Sequence, residues 1–254
     1  MATVSRDTLV NAMNHWLEPE RFSDYCPNGL QVEGREEVTK VVTGVTASQA
    51  LIDAALEAGA DMILVHHGYF WKGEDQRISG IRKKRLRSLL ANDLSMVAYH
   101  LPLDAHAELG NNRQLARVLE LEQIRPITST DPRELVWQGR LPEPMSAERL
   151  AAHIATRLSR EPLHVGPDGG EIQTIGWCTG AAQGYLARAA ATGLDAFISG
   201  EVSEPTVHLA REMGIHYFAA GHHATERYGV QALGERLATE FGVVHQFIDI
   251  PNPV

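Results

Sequence analysis

Cysteine is nearly absent from this 254-residue chain, which holds only Cys26 and Cys178. Two thiols cannot build a disulfide framework or a thiolate metal cage, so histidine and carboxylate must carry any metal. No apolar run reaches membrane-spanning length, and the opening Met-Ala-Thr-Val-Ser-Arg-Asp lacks an apolar signal region, which makes the cytoplasm the expected compartment. Positive charge is in deficit. The formal net charge of −9 should repel a nucleic-acid backbone, whose binding rests on neutralising phosphates. The run Arg82-Lys-Lys-Arg85-Leu-Arg87 is the exception. It reads as the solvated face of a helix, with a phosphate-attracting rim or a patch for an acidic surface on another subunit as alternatives. Neither a Walker-type glycine-lysine loop nor a dinucleotide fingerprint with its acidic partner occurs.

What is present is an alternation of helical and strand patterns. With 44% apolar residues, the chain suits one large domain or two lobes of ordinary size. Leu9, Val10, Met13, Trp16 and Leu17 recur at helical spacing after Ser5, a candidate N-cap. The β-branched run 38–46 predicts a strand, and residues 48–57 a helix. Met62-Ile-Leu-Val65 is short and wholly apolar, as a strand buried on both faces would be, and it runs into His66. A helix over 81–90 leads to a strand over 96–99, which runs into His100. The second half repeats the order, with helix around Leu150, Ile154 and Leu158, strand 172–178, helix 185–191 and strand 196–199 delivering Glu201. Helix 206–212 then precedes strand 216–220, which delivers His222, and a helix over 230–241 and a strand over 243–250 close the chain. Pro126, Pro132, Pro142 and Pro144 mark residues 125–145 as a linker.

The halves look like copies. Ser5-Arg-Asp-Thr-Leu9 parallels Ser146-Ala-Glu-Arg-Leu150, the stretch around Gly59 and Asp61 parallels that around Gly193 and Asp195, and His100 with Asp104 parallels His222 with Glu226. The expected fold is therefore α/β, two related lobes from an internal duplication, residues 1–127 and 128–254. The metal site is expected at the cleft between them, with the last helix and strand free to pack on the first lobe. Ligands of open α/β sheets sit beyond the carboxyl ends of strands, where all the acid and histidine clusters fall. Each cluster has a plainer alternative: hydrogen-bonded loop histidines, or ordinary helix-face neighbours for the two His-x-x-x-carboxylate pairs. Imidazole and carboxylate without thiols suit zinc, manganese, iron, cobalt or nickel.

Ser23-Asp-Tyr-Cys-Pro-Asn28-Gly29-Leu-Gln-Val-Glu-Gly34, Gly44-Val-Thr-Ala-Ser48, His66-His67-Gly68, His100-x-Pro-x-Asp104 and Gly221-His222-His-Ala-Thr-Glu226 together resemble the GTP cyclohydrolase type 2 homologs, a family also named for a yeast Ngg-interacting factor. The resemblance runs almost end to end and fits the shorter form without a large inserted domain. It implies a two-lobed subunit with a dinuclear centre, two divalent ions per subunit, in a ring-shaped homohexamer. It implies His66, His67, Asp104, His222 and Glu226 as metal ligands, with His100 beside them as an additional ligand or a support. His223 falls outside the family pattern.

Two metals about 3.5–4 Å apart could bind a bridging hydroxide able to attack an amidine carbon, as C8 of a guanine nucleotide, or a phosphoryl group. The expected function is metal-assisted hydrolysis of a small nucleotide-like substrate, with Glu201 as candidate general acid or base and a structural hydrogen bond as its other role. A non-catalytic metal carrier or scaffold, and a phosphoesterase or nuclease, are the alternatives. Tyr69-Phe70-Trp71 could stack on a purine or simply pack. The amides of Gly180-Ala-Ala-Gln-Gly184 could hold a phosphate or only shape a loop.

Overall fold

The computed structural model describes residues 2–128, 131 and 133–254. The chain divides into two compact units, Met1–Leu103 with Gly229–Pro251, and Asp104–Tyr228 with Asn252–Val254. The first unit begins β1 (Val4–Ser5), α1 (Arg6–Leu17), β2 (Gly29–Val32), β3 (Glu37–Val38), β4 (Lys40–Thr46), α2 (Gln49–Glu57), β5 (Met62–His67), α3 (Gly80–Ala91) and β6 (Ser95–Ala98). Helix α4 (Leu101–Ala105) carries the chain onward. The second unit continues α5 (Asn111–Val118), β7 (Glu122–Pro126), β8 (Trp137–Met145), α6 (Ala147–Leu158), β9 (Leu163–Val165), β10 (Ile172–Cys178), α7 (Leu186–Ala191), β11 (Ala196–Ser199), α8 (Glu204–Met213), β12 (His216–Ala219) and α9 (His222–Thr225). Helix α10 (Arg227–Phe241) and β13 (Val244–Phe247) complete the first unit. This mixed α/β architecture is the fold class expected. No helix among the described residues is long and apolar enough to cross a membrane.

In the first unit the sheet order is β13-β4-β5-β6-β2, parallel except for β2. β5 lies inside it, buried from Met62 through His66, which is why its sequence is apolar without alternation. Ile63, Val65, Leu51, Ile52 and Leu89 share one core cluster with α2 and α3, each large side chain contributing roughly 1.5–3 kcal/mol of burial. The second unit's sheet runs β7-β8-β10-β11-β12-β9, with β10, β11 and β12 parallel. Trp177 is wholly buried in it, and its indole Nε1 donates to Asn112 O at 3.0 Å, so its polar edge is satisfied.

The units share an order of elements. Each has a helix capped by serine, Ser5 accepting from Thr8 N at 3.2 Å and Ser146 from Arg149 N at 3.3 Å. Each follows with an antiparallel edge strand (β2, β9) and then three parallel strands (β4-β5-β6, β10-β11-β12). The same aspartate device recurs. Asp61 Oδ2 accepts from Thr39 N and Lys40 N, at 2.8 and 3.0 Å, and Asp195 Oδ2 accepts from Gln173 N and Thr174 N, at 3.1 and 2.7 Å. One carboxylate thus closes the start of the preceding strand. Tyr99 N bonds Val65 O as Ala220 N bonds Ser199 O, so Gly221, at φ 101°, is an extra residue before His222 that has no counterpart before His100.

Asp195 offers a test of this device. Burial opposes its charge, but the bonds from Thr174 and Gln173 outweigh burial and hold the carboxyl below its ordinary value. A lowered carboxylate contributes stability above its unfolded pKa and loses it as pH falls through the folded one. Asp195→Ala should therefore cost about 1–3 kcal/mol near neutral pH, with the gap to the parent narrowing below pH ~4. Urea melts across that range check this; a gap independent of pH would assign the loss to packing.

The proline-rich linker is corrected. Pro126 ends β7, Pro142 and Pro144 lie within β8, and Pro132 lies outside the described residues. Proline is tolerated there because the β8–β10 ladder jumps from Arg140 to Met145, while the β7 ladder stops at Arg140. No partner strand needs an N–H from 142 or 144. The division between the two compact units falls between Leu103 and Asp104. β13 pairs with β4, in the first unit.

Candidate metal centre

Three imidazoles gather at the strand ends of the first unit. β5 terminates in His66-His67, and the chain leaving β6 passes through Tyr99 to His100. The rings of His66 and His67 have centroids 4.6 Å apart, His66 and His100 5.1 Å, and His67 and His100 5.9 Å. A ring nitrogen from each lies within 4.8 Å of the other two, close enough to hold a metal ion.

Each ring is aimed by a partner. His66 is fully buried, and its Nδ1 donates to Tyr99 O at 2.8 Å, which leaves the lone pair on Nε2. His67 Nδ1 lies 3.2 Å from Thr46 Oγ1. His100 Nδ1 sits 2.6 Å from Asp24 Oδ1, the carboxylate–histidine pairing that orients metal ligands. Asp24 also accepts from Asn28 Nδ2, Tyr25 N and Leu101 N, at 2.9, 2.6 and 3.0 Å, and Asn28 Oδ1 accepts from His100 N at 2.7 Å. Burial opposes the Asp24 charge, yet His100 and Asn28 outweigh it and lower its pKa. Cys26 is nearby, but burial and then Asp24 push its thiol up to about 12, so it stays protonated.

The aromatic run splits by role. Tyr69 is buried and donates its hydroxyl to Ala47 O at 2.7 Å, and Phe70 meets it edge-on with centroids 6.3 Å apart. Only Trp71 reaches the imidazoles, 5.0 Å from His100 and 6.0 Å from His67 by centroids. Arg85 of the cationic run lies 5.9 Å over the Tyr69 ring, and Arg82 pairs with Glu74.

The second unit gathers carboxylates. Asp104, in α4, accepts at Oδ1 from Asn111 Nδ2 at 2.9 Å and Thr179 Oγ1 at 3.2 Å. Asp104 and Glu226 each offer an oxygen within 4.8 Å of the other. His222 Nε2 lies 3.1 Å from Glu226 Oε2, and its Nδ1 lies 2.7 Å from Glu201 Oε1. Burial lowers the His222 pKa, but Glu226 and Glu201 outweigh it and raise it to about 9. The two carboxylates thus favour the protonated form of His222. Glu201, expected either as an acid or base or as a structural hydrogen-bond partner, is the carboxylate that meets His222 Nδ1. His223 N donates to Val254 O at 2.9 Å.

The first amides of the Gly180 loop, open to a phosphate or a plain loop role by sequence, are hydrogen-bonded within the protein. Gly180 N donates to Thr225 Oγ1 at 3.1 Å, and Ala182 N reaches Ser199 Oγ at 3.2 Å, so these amides are occupied. A Cβ at Gly180 would stand 2.1 Å from Glu226 Oε1 and 3.2 Å from His222 Nε2. Glycine here keeps room beside the two side chains. Imidazole nitrogens and carboxylate oxygens without thiolate are a donor set that fits first-row divalent metals.

A family model described as Duf34/NIF3 (NGG1p interacting factor 3) matches residues 4–253. The chain belongs to the Duf34/NIF3 family. A relative named GTP cyclohydrolase 1 type 2 homolog, from Pseudomonas aeruginosa, is 57% identical over 251 residues, spanning 98% of this chain and 99% of its own. The relative of the same name from Escherichia coli is 53% identical over 246 residues, 96% of this chain and 98% of its own. Among solved structures, protein ybgI, described as of unknown function, matches with a TM-score of 0.94 at 51% identity, over 99% of this chain and 100% of that one. In this NIF3-family chain, the motifs that carried the resemblance are also those that orient the donors. Asp24 and Asn28 hold His100, and Gly221 precedes His222 at a backbone angle glycine favours.

Proposed function

We propose that this chain is a metal-dependent hydrolase acting on a small nucleotide-like substrate, in keeping with the cyclohydrolase name its relatives carry. His66, His67, Asp104, His222 and Glu226 would hold two divalent ions, with His100 as a further donor. The observation that carries this reading is that imidazoles in both units are pre-oriented through Nδ1, His66 by a carbonyl, His100 by Asp24 and His222 by Glu201. Such partners fix the ring and raise ligand basicity. Bound divalent ions would supply Lewis acidity, polarising an electrophile and acidifying water. The protein's own contribution is to hold the donors, to keep Asp104 fixed by Asn111 and Thr179, and to present Trp71 as a flat apolar face. The matching element order and the Asp61 and Asp195 devices support an origin by duplication, and a ring of six is the assembly we propose with it.

The test is a turnover panel. GTP, other nucleotides and phosphodiesters, each with Mn, Zn, Fe, Co or Mg, should show consumption by the parent and none by a His66→Ala, Glu226→Ala double variant. No consumption above that control with any metal would leave a non-catalytic carrier or scaffold. Glu201→Gln should weaken metal affinity by about 10–100-fold and recover turnover at saturating metal. Turnover that stays lost at saturation would make Glu201 the acid or base instead.

A further inference from the structure

A second pair of imidazoles sits in the second unit, on the edge strand β9 and its neighbour β12. In their antiparallel ladder His164 faces Phe218, and His216, two residues before Phe218, projects from the same sheet face. His164 Nε2 and His216 Nδ1 lie 3.1 Å apart, with ring centroids 5.3 Å apart and planes 27° from parallel. Two imidazole nitrogens bound to one tetrahedral ion at about 2.0–2.1 Å each would stand roughly 3.3 Å apart. The observed separation is close to that edge.

Three features make the pair more than a core contact. A Cβ at Gly166 would fall 2.8 Å from His216 Nδ1 and 3.3 Å from His164 Nε2, so the glycine leaves space beside both nitrogens. Burial lowers the pKa of both rings, which keeps them neutral and able to donate a lone pair. A cavity of about 300 Å³ borders His164, lined among others by Gly166, Glu148, Asp168 and Arg211. It opens His164 to solvent, from which water would complete a coordination shell.

We propose that His164 Nε2 and His216 Nδ1, beside Gly166, form a separate binding site for a single late first-row divalent ion such as zinc, copper or nickel. The pair is distinct from the His66 and His222 clusters and shares no residue with them. An ion here would tie the three-residue edge strand β9 to β12.

The experiment uses full-length protein titrated with Zn2+ and, in parallel, Cu2+. The parent should take up one more equivalent than His164→Ala, and the His66→Ala, Glu226→Ala variant should retain that equivalent. This separates the inference from the hydrolase reading. Gly166→Ala, which keeps both imidazoles, should lose it too. The Cu2+ spectrum of the His66→Ala, Glu226→Ala variant should carry the splitting of two equatorial nitrogens, lost when His164→Ala is added to that variant. As a check that needs no variant, Zn2+ should shield His164 of the parent from diethyl pyrocarbonate. Equal uptake by the parent, His164→Ala and Gly166→Ala, or modification of His164 unaffected by Zn2+, would overturn the proposal.

Discussion

Glu226→Gln is expected to lower divalent-metal affinity by more than the ~10–100-fold typical of outer-shell partners, while leaving the fold intact. The substitution keeps the shape of the side chain and removes its charge. Glu226 is only 3% exposed, lies within 4.8 Å of an Asp104 oxygen, and is 3.1 Å from His222 Nε2. In a site this dry a carboxylate acts with little screening, so its loss weighs more than a surface charge would. The same substitution should let the His222 pKa fall from about 9, since Glu226 is the larger of the two carboxylate influences on it. Calorimetric titration with Zn2+ or Mn2+, together with NMR titration of the metal-free imidazole, reads both effects. Unchanged affinity would remove Glu226 from the ligand set.

Gly180→Ala should destabilise the second unit and weaken metal uptake together. Gly180 holds φ +70°, which costs a side-chain-bearing residue about 1 kcal/mol or more. Its new Cβ would also stand 2.1 Å from Glu226 Oε1, adding roughly 1–3 kcal/mol of overpacking. A matched control exists. Gly193 has φ +76° with nothing within 4 Å of an added Cβ, so Gly193→Ala carries only the backbone cost. Denaturant melts should show Gly180→Ala losing about 2–4 kcal/mol and Gly193→Ala about 1 kcal/mol. Only the first should weaken metal uptake, because only there must Glu226 move. Equal losses would mean that the space beside Glu226 is not needed.

Much of the scaffold was legible because the cores are built on simple periods. β10 spans residues 172–178 as the sequence reading has it, and β5 delivers His66 and His67 from an unbroken apolar stretch. The edges were harder to read. β2, β7 and β9 are short and only partly buried, so they lack the hydrophobic signature of the inner strands, and the prolines of β8 spoke for a linker until the ladder showed where they fall. Candidate donors could be found by type and by position at strand ends. Asp24 could not, because its role depends on a hydrogen bond to a ring 76 residues away. Asn28 was quoted for resemblance alone, and its service to the His100 amide emerges only from the folded loop. Glu201 was noticed at the right strand end, but a carboxylate that orients a histidine and one that exchanges protons with substrate look alike in one dimension. His164 and His216 gave no motif because their pairing is set by strand register.

The pairing of β13 with β4 bears on how the molecule is made. Residues 244–247 complete a sheet whose other strands lie between residues 29 and 98. During synthesis that sheet keeps an open border along Lys40–Thr46, with backbone groups ready to pair with any passing strand, until residues 244–247 have emerged from the ribosome. Nascent chains stalled before residue 244 should therefore depend on chaperones far more than chains released just after it.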